Sequence, residues 1–145
     1  MAREPGMSMS LQFNEEAYIW GNPEKGKEAR LKAVEAAGMV WADETKELVM
    51  AEDHIDTSLY INSIGYVTDY PEDSTGTGKV YAGQDDVIYE IEEGEDITRL
   101  RIGSAVSYAE HLEKRYSLMA RGLDLAKPRM RQVAKYQIEK ILKGG

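Results

Sequence analysis

Apolar and polar positions follow two different periods along this chain, and each change of period marks a predicted element. Residues 9–13 alternate with period two, which predicts a short edge strand. Asn22-Pro23 is a turn that opens a helix, with proline tolerated in the first turn. Over 24–50, Leu31, Val34, Gly38, Trp41, Thr45 and Leu48 recur at spacings of three and four, which predicts one long helix with a single buried stripe. A glycine inside a helix costs about 1 kcal/mol relative to alanine. Gly38 therefore implies a neighbour packed closely against it.

Past this helix the period shortens. Asp56 or Thr57 predicts the cap of a short helical turn. Period-two segments follow at 64–70, 79–82, 87–91 and 97–102, separated by a polar loop at 71–78 and by Gly83 and Gly94. They predict an antiparallel meander of about four strands. Residues 106–118 read as a short helix, 123–127 as a connector, and Pro128 as the first residue of a last helix. On that helix Met130, Val133, Ala134, Ile138, Ile141 and Leu142 share one face, with Arg129, Arg131, Lys135 and Lys140 largely off it. The expected fold is α+β: a long N-terminal helix, a sheet of about four strands, and C-terminal helices packed on that sheet. One domain spans 1–145, with 1–8 as a flexible lead, and no internal repeat is visible.

Composition sharpens this picture. A chain of 145 residues with 42% apolar content supports one core. It has no cysteine, which removes disulfides, thiolate zinc sites and cysteine nucleophiles together. No apolar run approaches the roughly 20 residues of a membrane helix, and 1–7 lack the apolar core of a secretion signal. The expectation is a soluble protein made in the cytoplasm, with no membrane partner. The net charge of −8 is unevenly spread. Residues 114–145 hold nine basic and two acidic side chains, about +7, so 1–113 carry −15. Such a split suits subunits that meet acidic face to basic face; the plain alternative is a solvated helix that happens to be basic.

Candidate chemistry is sparse. His54 lies beside Asp53 and Asp56, and His111 beside Glu110 and Glu113, but neither has a repeated metal-ligand spacing. Ser74-Thr75-Gly76-Thr77-Gly78-Lys79-Val80 lacks the early glycine and the following hydroxyl of a phosphate loop, and reads as a glycine-rich loop. The acidic run around Glu90, Glu92, Glu93, Glu95 and Asp96 shows no pair of differently tuned carboxyls. Ser63, Ser104 and Ser107 lie in no nucleophile elbow. The basic last helix lacks a helix-turn-helix pattern or stacking aromatics. No catalytic, cofactor or metal site is expected.

Two stretches carry a resemblance. One is Ile55-Asp56-Thr57-Ser58-Leu59-Tyr60-Ile61-Asn62-Ser63-Ile64, directly after the long helix. The other is Arg101-Ile102-Gly103-Ser104-Ala105-Val106-Ser107-Tyr108-Ala109-Glu110-His111-Leu112-Glu113, followed by Ala126-Lys127-Pro128-Arg129-Met130. In this order and separation, over 24–143, the chain resembles the tail-completion (head–tail joining, neck) family of tailed bacteriophages. It departs from that family's pattern at Ser58, where glycine is usual, and at Lys114-Arg115, where Phe-Gly-Thr is usual.

The resemblance implies a structural ring subunit of the virion neck or upper tail, hexameric, without enzyme activity or cofactor. Its partners would be further copies of itself, other neck connector, tail-terminator or tail-tube proteins, and double-stranded DNA passing through unbound. Asp56, Thr57, Leu59, Ser63 and Ile64 would shape the corner from helix to sheet, and Tyr108, Glu113 and Pro128 the second helical corner. Closure of a ring needs two complementary surfaces, for which the acidic sheet region and the basic last helix (Arg129, Arg131, Lys135) are candidates. A bore that does not grip phosphates needs negative side chains; Asp85, Asp86, Glu90, Glu92, Glu93, Glu95 and Asp96 are candidates. Alternatives are a tail terminator or head-side adaptor of the same neck, a small acidic enzyme using His54 or His111, and a regulatory module using the basic helix.

Overall fold

The computed structural model describes residues 6–14, 23–52, 59–69, 82–94 and 97–143. The elements are strand β1 (Met7–Asn14), helices α1 (Pro23–Ala51) and α2 (Leu59–Ser63), a 3-10 turn (Gln84–Asp86), strands β2 (Val87–Glu93) and β3 (Ile97–Ser104), and helices α3 (Ala109–Tyr116) and α4 (Leu118–Lys143). The mixed helix-and-sheet class agrees with the sequence reading, but the last helix packs on α1 instead of on the sheet, and β1 begins at Met7, inside the expected flexible lead. The sheet is three-stranded, in the order β1-β3-β2, with both outer strands antiparallel to β3.

Alternation along the strands separates two faces. Met9 and Leu11 of β1 and Leu100 and Ile102 of β3 point towards the helices and join the core. The opposite face carries a polar ladder. Ser8, Ser10 and Gln12 lie beside Arg101 and Arg99, which lie beside Glu90 and Glu92.

Helix α1 forms because its small and apolar positions recur with helical period, and it is buried on two sides. Towards the sheet, a Cβ on Gly38 would stand 2.6 Å from a Leu100 methyl, so the glycine lets the helix settle onto β3. The close neighbour implied by Gly38 is thus a side chain of the central strand. Towards α4, Trp41 is fully buried and its indole Nε1–H donates to the Met119 carbonyl at 3.1 Å. Leu118, Met119, Ala126 and Met130 of α4 complete the core with Tyr60, Ile61 and Ile64.

Three further expectations are corrected. The four-strand meander reduces to two of its strands, 87–91 and 97–102, joined by β1 at the far edge. Residues 64–69 are irregular, because Gly65 takes φ +74° and gives its N–H to the Gly103 carbonyl at 3.0 Å, while Tyr66 N–H turns back to the Ile64 carbonyl at 2.8 Å. Those bonds leave no free ladder for a strand. Residues 79–81 lie outside the described residues, and Ala82 has no regular structure.

The third correction concerns Pro128. It does not open the last helix, and 123–127 is not a connector: α4 is continuous from Leu118 to Lys143 with the proline inside it. Its start is set ten residues earlier. Ser117, at φ 52°, ends α3 in the left-handed region. The Glu113 carboxylate then accepts from the N–H groups of Met119 and Ala120 at 2.7 and 3.1 Å. A carboxylate on these unpaired donors also complements the positive end of the helix dipole. Pro128 is on the exposed side, where water can reach the carbonyl left without a donor.

Candidate functional site

The residues named from the sequence as corner-formers divide into packing and capping roles. Asp56, Thr57 and His54 lie outside the described residues. Leu59 is half-buried at the start of α2, while Ser63 and Ile64 are fully buried. Ser63 Oγ donates to the Tyr60 carbonyl at 2.8 Å, which commits its only proton. The Ser104 hydroxyl, 2.6 Å away, must therefore donate to Ser63. Ser104 in turn accepts from Val106 N–H at 3.2 Å. This chain of bonds pins α2 to the end of β3. Tyr108 stacks at a tilt on Tyr60, ring centres 6.4 Å apart. The Tyr60 hydroxyl is buried without a hydrogen-bond partner among the described residues, and burial, with the charges of Glu113 and Tyr108 adding to it, holds the phenol well above its ordinary range.

Sequence reasoning missed two buried cations on α1. Arg30 is fully buried and donates to Thr98 Oγ1 and to the Gly94 carbonyl, both at 3.2 Å, so it ties the β2–β3 hairpin to the helix. Lys46 is also fully buried. Its ammonium donates to the Tyr66 carbonyl at 2.7 Å and Thr68 Oγ1 at 2.9 Å, and lies 3.8 Å over the Tyr66 ring. Thr68 passes its own proton to Asn62 at 2.9 Å. Desolvation lowers the Lys46 ammonium to about 8, against the opposing pull of Asp43. Both cations extend the apolar stripe at helical spacing, Arg30 four before Val34 and Lys46 four after Ala42, and that spacing was the available signal. With its donors directed at this segment and no exposed surface, Lys46 is built as a tether for residues 64–69.

The acidic candidates are not equivalent. Asp86 Oδ2 accepts from Gly83 N–H at 2.9 Å and closes the 3-10 turn. Glu92 is bonded to Arg99 at 2.9 Å and Glu90 to Arg101; Arg101 also donates to Ser8 at 3.1 Å. Asp85 is exposed, as is Glu93 on the helix-facing side of β2. Glu95 and Asp96 lie outside the described residues. The basic candidates Arg129, Arg131 and Lys135 are all exposed on α4, whose neighbouring pair is Lys127–Asp124 at 3.7 Å. His111 is exposed on α3.

Among the described residues, concave surfaces lie on both sides of the sheet. Between β1, α1 and α4 runs a groove of about 350 Å3, lined by Leu11, Val34, Met130, Ala134 and Ile138 with Arg131 and Lys135. Near β2, a hollow of about 390 Å3 is bounded by Met39, Gly65, Val67, Val87 and Tyr89. Among the described residues no group of three or more His, Asp or Glu is placed to hold a metal ion. No helix among the described residues is long and apolar enough to cross a membrane. No family model, curated protein or solved structure matches the chain.

Proposed function

We propose that this chain is a structural ring subunit of a bacteriophage neck or upper tail, joining the DNA-filled head to the tail around the DNA passage. The sequence resemblance over 24–143 points to that role. The observation that carries it further is the placement of charge. The order β1-β3-β2 sets the carboxylate-rich strand β2 at one edge of the sheet. The basic helix α4 shares a groove with β1 at the other edge. Opposed charge on opposite sides of one subunit favours head-to-tail association, which closes into rings. Of the corner residues that are described, Ser63, Ile64, Tyr108 and Glu113 act as packing, capping and bonding groups, a role that suits a subunit working by shape.

The ladder on the outer sheet face modifies the bore assignment. Arg99 and Arg101 neutralise much of the field of Glu92 and Glu90. Repulsion of DNA then falls mainly to Asp85, Glu95 and Asp96. Native mass spectrometry and particle composition test the reading. Six copies per ring, in virions, are expected; twelve would move the subunit to a head-side adaptor. Virions that form without the chain and still deliver DNA would overturn it. Reversing Asp85, Glu95 and Asp96 to lysine is expected to lower DNA delivery, and unchanged delivery would remove the bore role.

A further inference from the structure

The two edges of this subunit complement each other in apolar shape as well as in charge. On the β1 side, Leu11, Val34 and Met130 form the apolar floor of the groove, and Arg131 and Lys135 line it with positive charge. On the β2 side, Tyr89, Ile91 and Glu93 alternate onto the helix-facing surface of the strand. Helix α1 lies mainly over β3 and β1 and meets β2 at Tyr89, whose hydroxyl donates to Glu35 at 3.4 Å; Tyr89 and Ile91 are each still 37% exposed. The strand order keeps the groove and this β2 surface at opposite edges, where one chain cannot bring them together. Each outer strand also pairs on one side only among the described residues, and such edges recruit neighbours.

We propose that the groove between β1, α1 and α4 receives the β2 edge of a second copy of this chain. Ile91 and Tyr89 enter over Leu11, Val34 and Met130, and Glu93 meets Arg131 and Lys135. The inference rests on the ring reading above and names the two halves of its head-to-tail contact. Like charges disfavour the symmetric alternatives, basic groove on basic groove or acidic edge on acidic edge. An aromatic anchor entering an apolar floor with charges at its margin is the arrangement of an interface hot spot. The two halves differ, so each added copy leaves one groove and one edge free until the ring closes.

The absence of cysteine makes the contact directly readable. The full chain carrying Ile91→Cys and Ala134→Cys is expected to give, on mild oxidation, a ladder of covalent dimers, trimers and higher species. Each single-cysteine chain is expected to stay monomeric on a non-reducing gel. No ladder from the double variant, or dimers from Ile91→Cys alone, would overturn the contact. Adding Glu93→Lys to the double variant is expected to slow cross-linking at least tenfold, and adding Lys135→Glu as well to restore it. Loss without restoration would overturn the charge pairing. Loss of the ladder in excess short duplex DNA would assign the basic side to nucleic acid instead. Native mass spectrometry of the unaltered chain separates the two claims. Closed rings without the 91–134 cross-link leave the ring reading and sink this contact. The cross-link in open chains that never close keeps the contact and sinks the ring.

Discussion

Gly122 of α4 rests against Thr45 of α1 so closely that a Cβ on the glycine would fall 2.2 Å from the threonine Oγ1 and 3.1 Å from its Cα. The threonine hydroxyl is buried there without a hydrogen-bond partner among the described residues. Gly122→Ala gains about 1 kcal/mol of helix propensity, but overpacking a tight site costs about 1–3 kcal/mol. One of the atoms in the way is backbone, which cannot turn aside. The substitution is expected to lower Tm by several degrees despite the better helix former. Thr45→Ala added to it should recover part of the loss, giving a coupling of about 0.5–3 kcal/mol in a double-mutant cycle. Additive effects would show that the helices do not meet at this point.

Glu113 makes the clearest case for a single side chain that starts an element. Its two oxygens hold the N–H groups of Met119 and Ala120. Glu113→Ala should destabilise the protein by about 1–2 kcal/mol in urea denaturation. Glu113→Gln, which keeps one acceptor, should cost less. Equal losses from the two would mean that the charge rather than the capping geometry carries the effect.

Pro128 separates two pictures of the C-terminal region. Inside a continuous helix it removes a hydrogen bond, and alanine in its place should raise stability by up to about 3 kcal/mol. At the first position of a new helix the same change would be close to neutral. Because Pro128 is inside α4 and exposed, a gain in the denaturation midpoint of Pro128→Ala is expected.

Lys46 gives the fold a pH signature. Its ammonium ionises at about 8 in the fold and at 10.5 in the unfolded chain. Between these values the unfolded chain keeps a proton that the folded one has released, so stability rises with pH from about 8 towards 10. The raised tyrosines, Tyr60 and Tyr89 (pushed up to about 12), work in the opposite sense. They act only once unfolded tyrosine ionises, near pH 10. Measured against Lys46→Met, the denaturation midpoint of the unaltered chain should climb between about pH 8 and pH 9.5. Parallel curves would show that the lysine is not desolvated.

Much of this architecture was readable from periodicity. The stripe through Val34, Gly38, Trp41 and Thr45 announced α1, because a helix buried on one line repeats every three or four residues. The alternation of Thr98, Leu100 and Ile102 announced β3. Residues 64–69 misled because Ile64, Tyr66 and Thr68 alternate with smaller or more exposed neighbours as a strand would, while the positive φ of Gly65 is invisible in a pattern of polarity. The start of α4 was hidden for a related reason: the capping group, Glu113, belongs to the preceding helix. Arg30 and Lys46 were overlooked because a charged residue is normally read as surface, and only tertiary acceptors such as the Gly94 and Tyr66 carbonyls make their burial tolerable. Of the surfaces proposed for assembly, the charges were legible. The groove was not, since β1 and α4 come together there from opposite ends of the chain.

Strand β1 has its partner far along the chain: the bond from Arg101 to Ser8 spans 93 positions. During synthesis β1 emerges early and has nothing to pair with until β3 leaves the ribosome. Helix α1 and the β2–β3 hairpin can form from local contacts, but the sheet completes only when β1 is captured over that long separation, the slowest kind of step for a small domain. The groove edge is therefore among the last parts of the fold to form, since it waits for β3 to capture β1 and for α4, which follows β3, to be made.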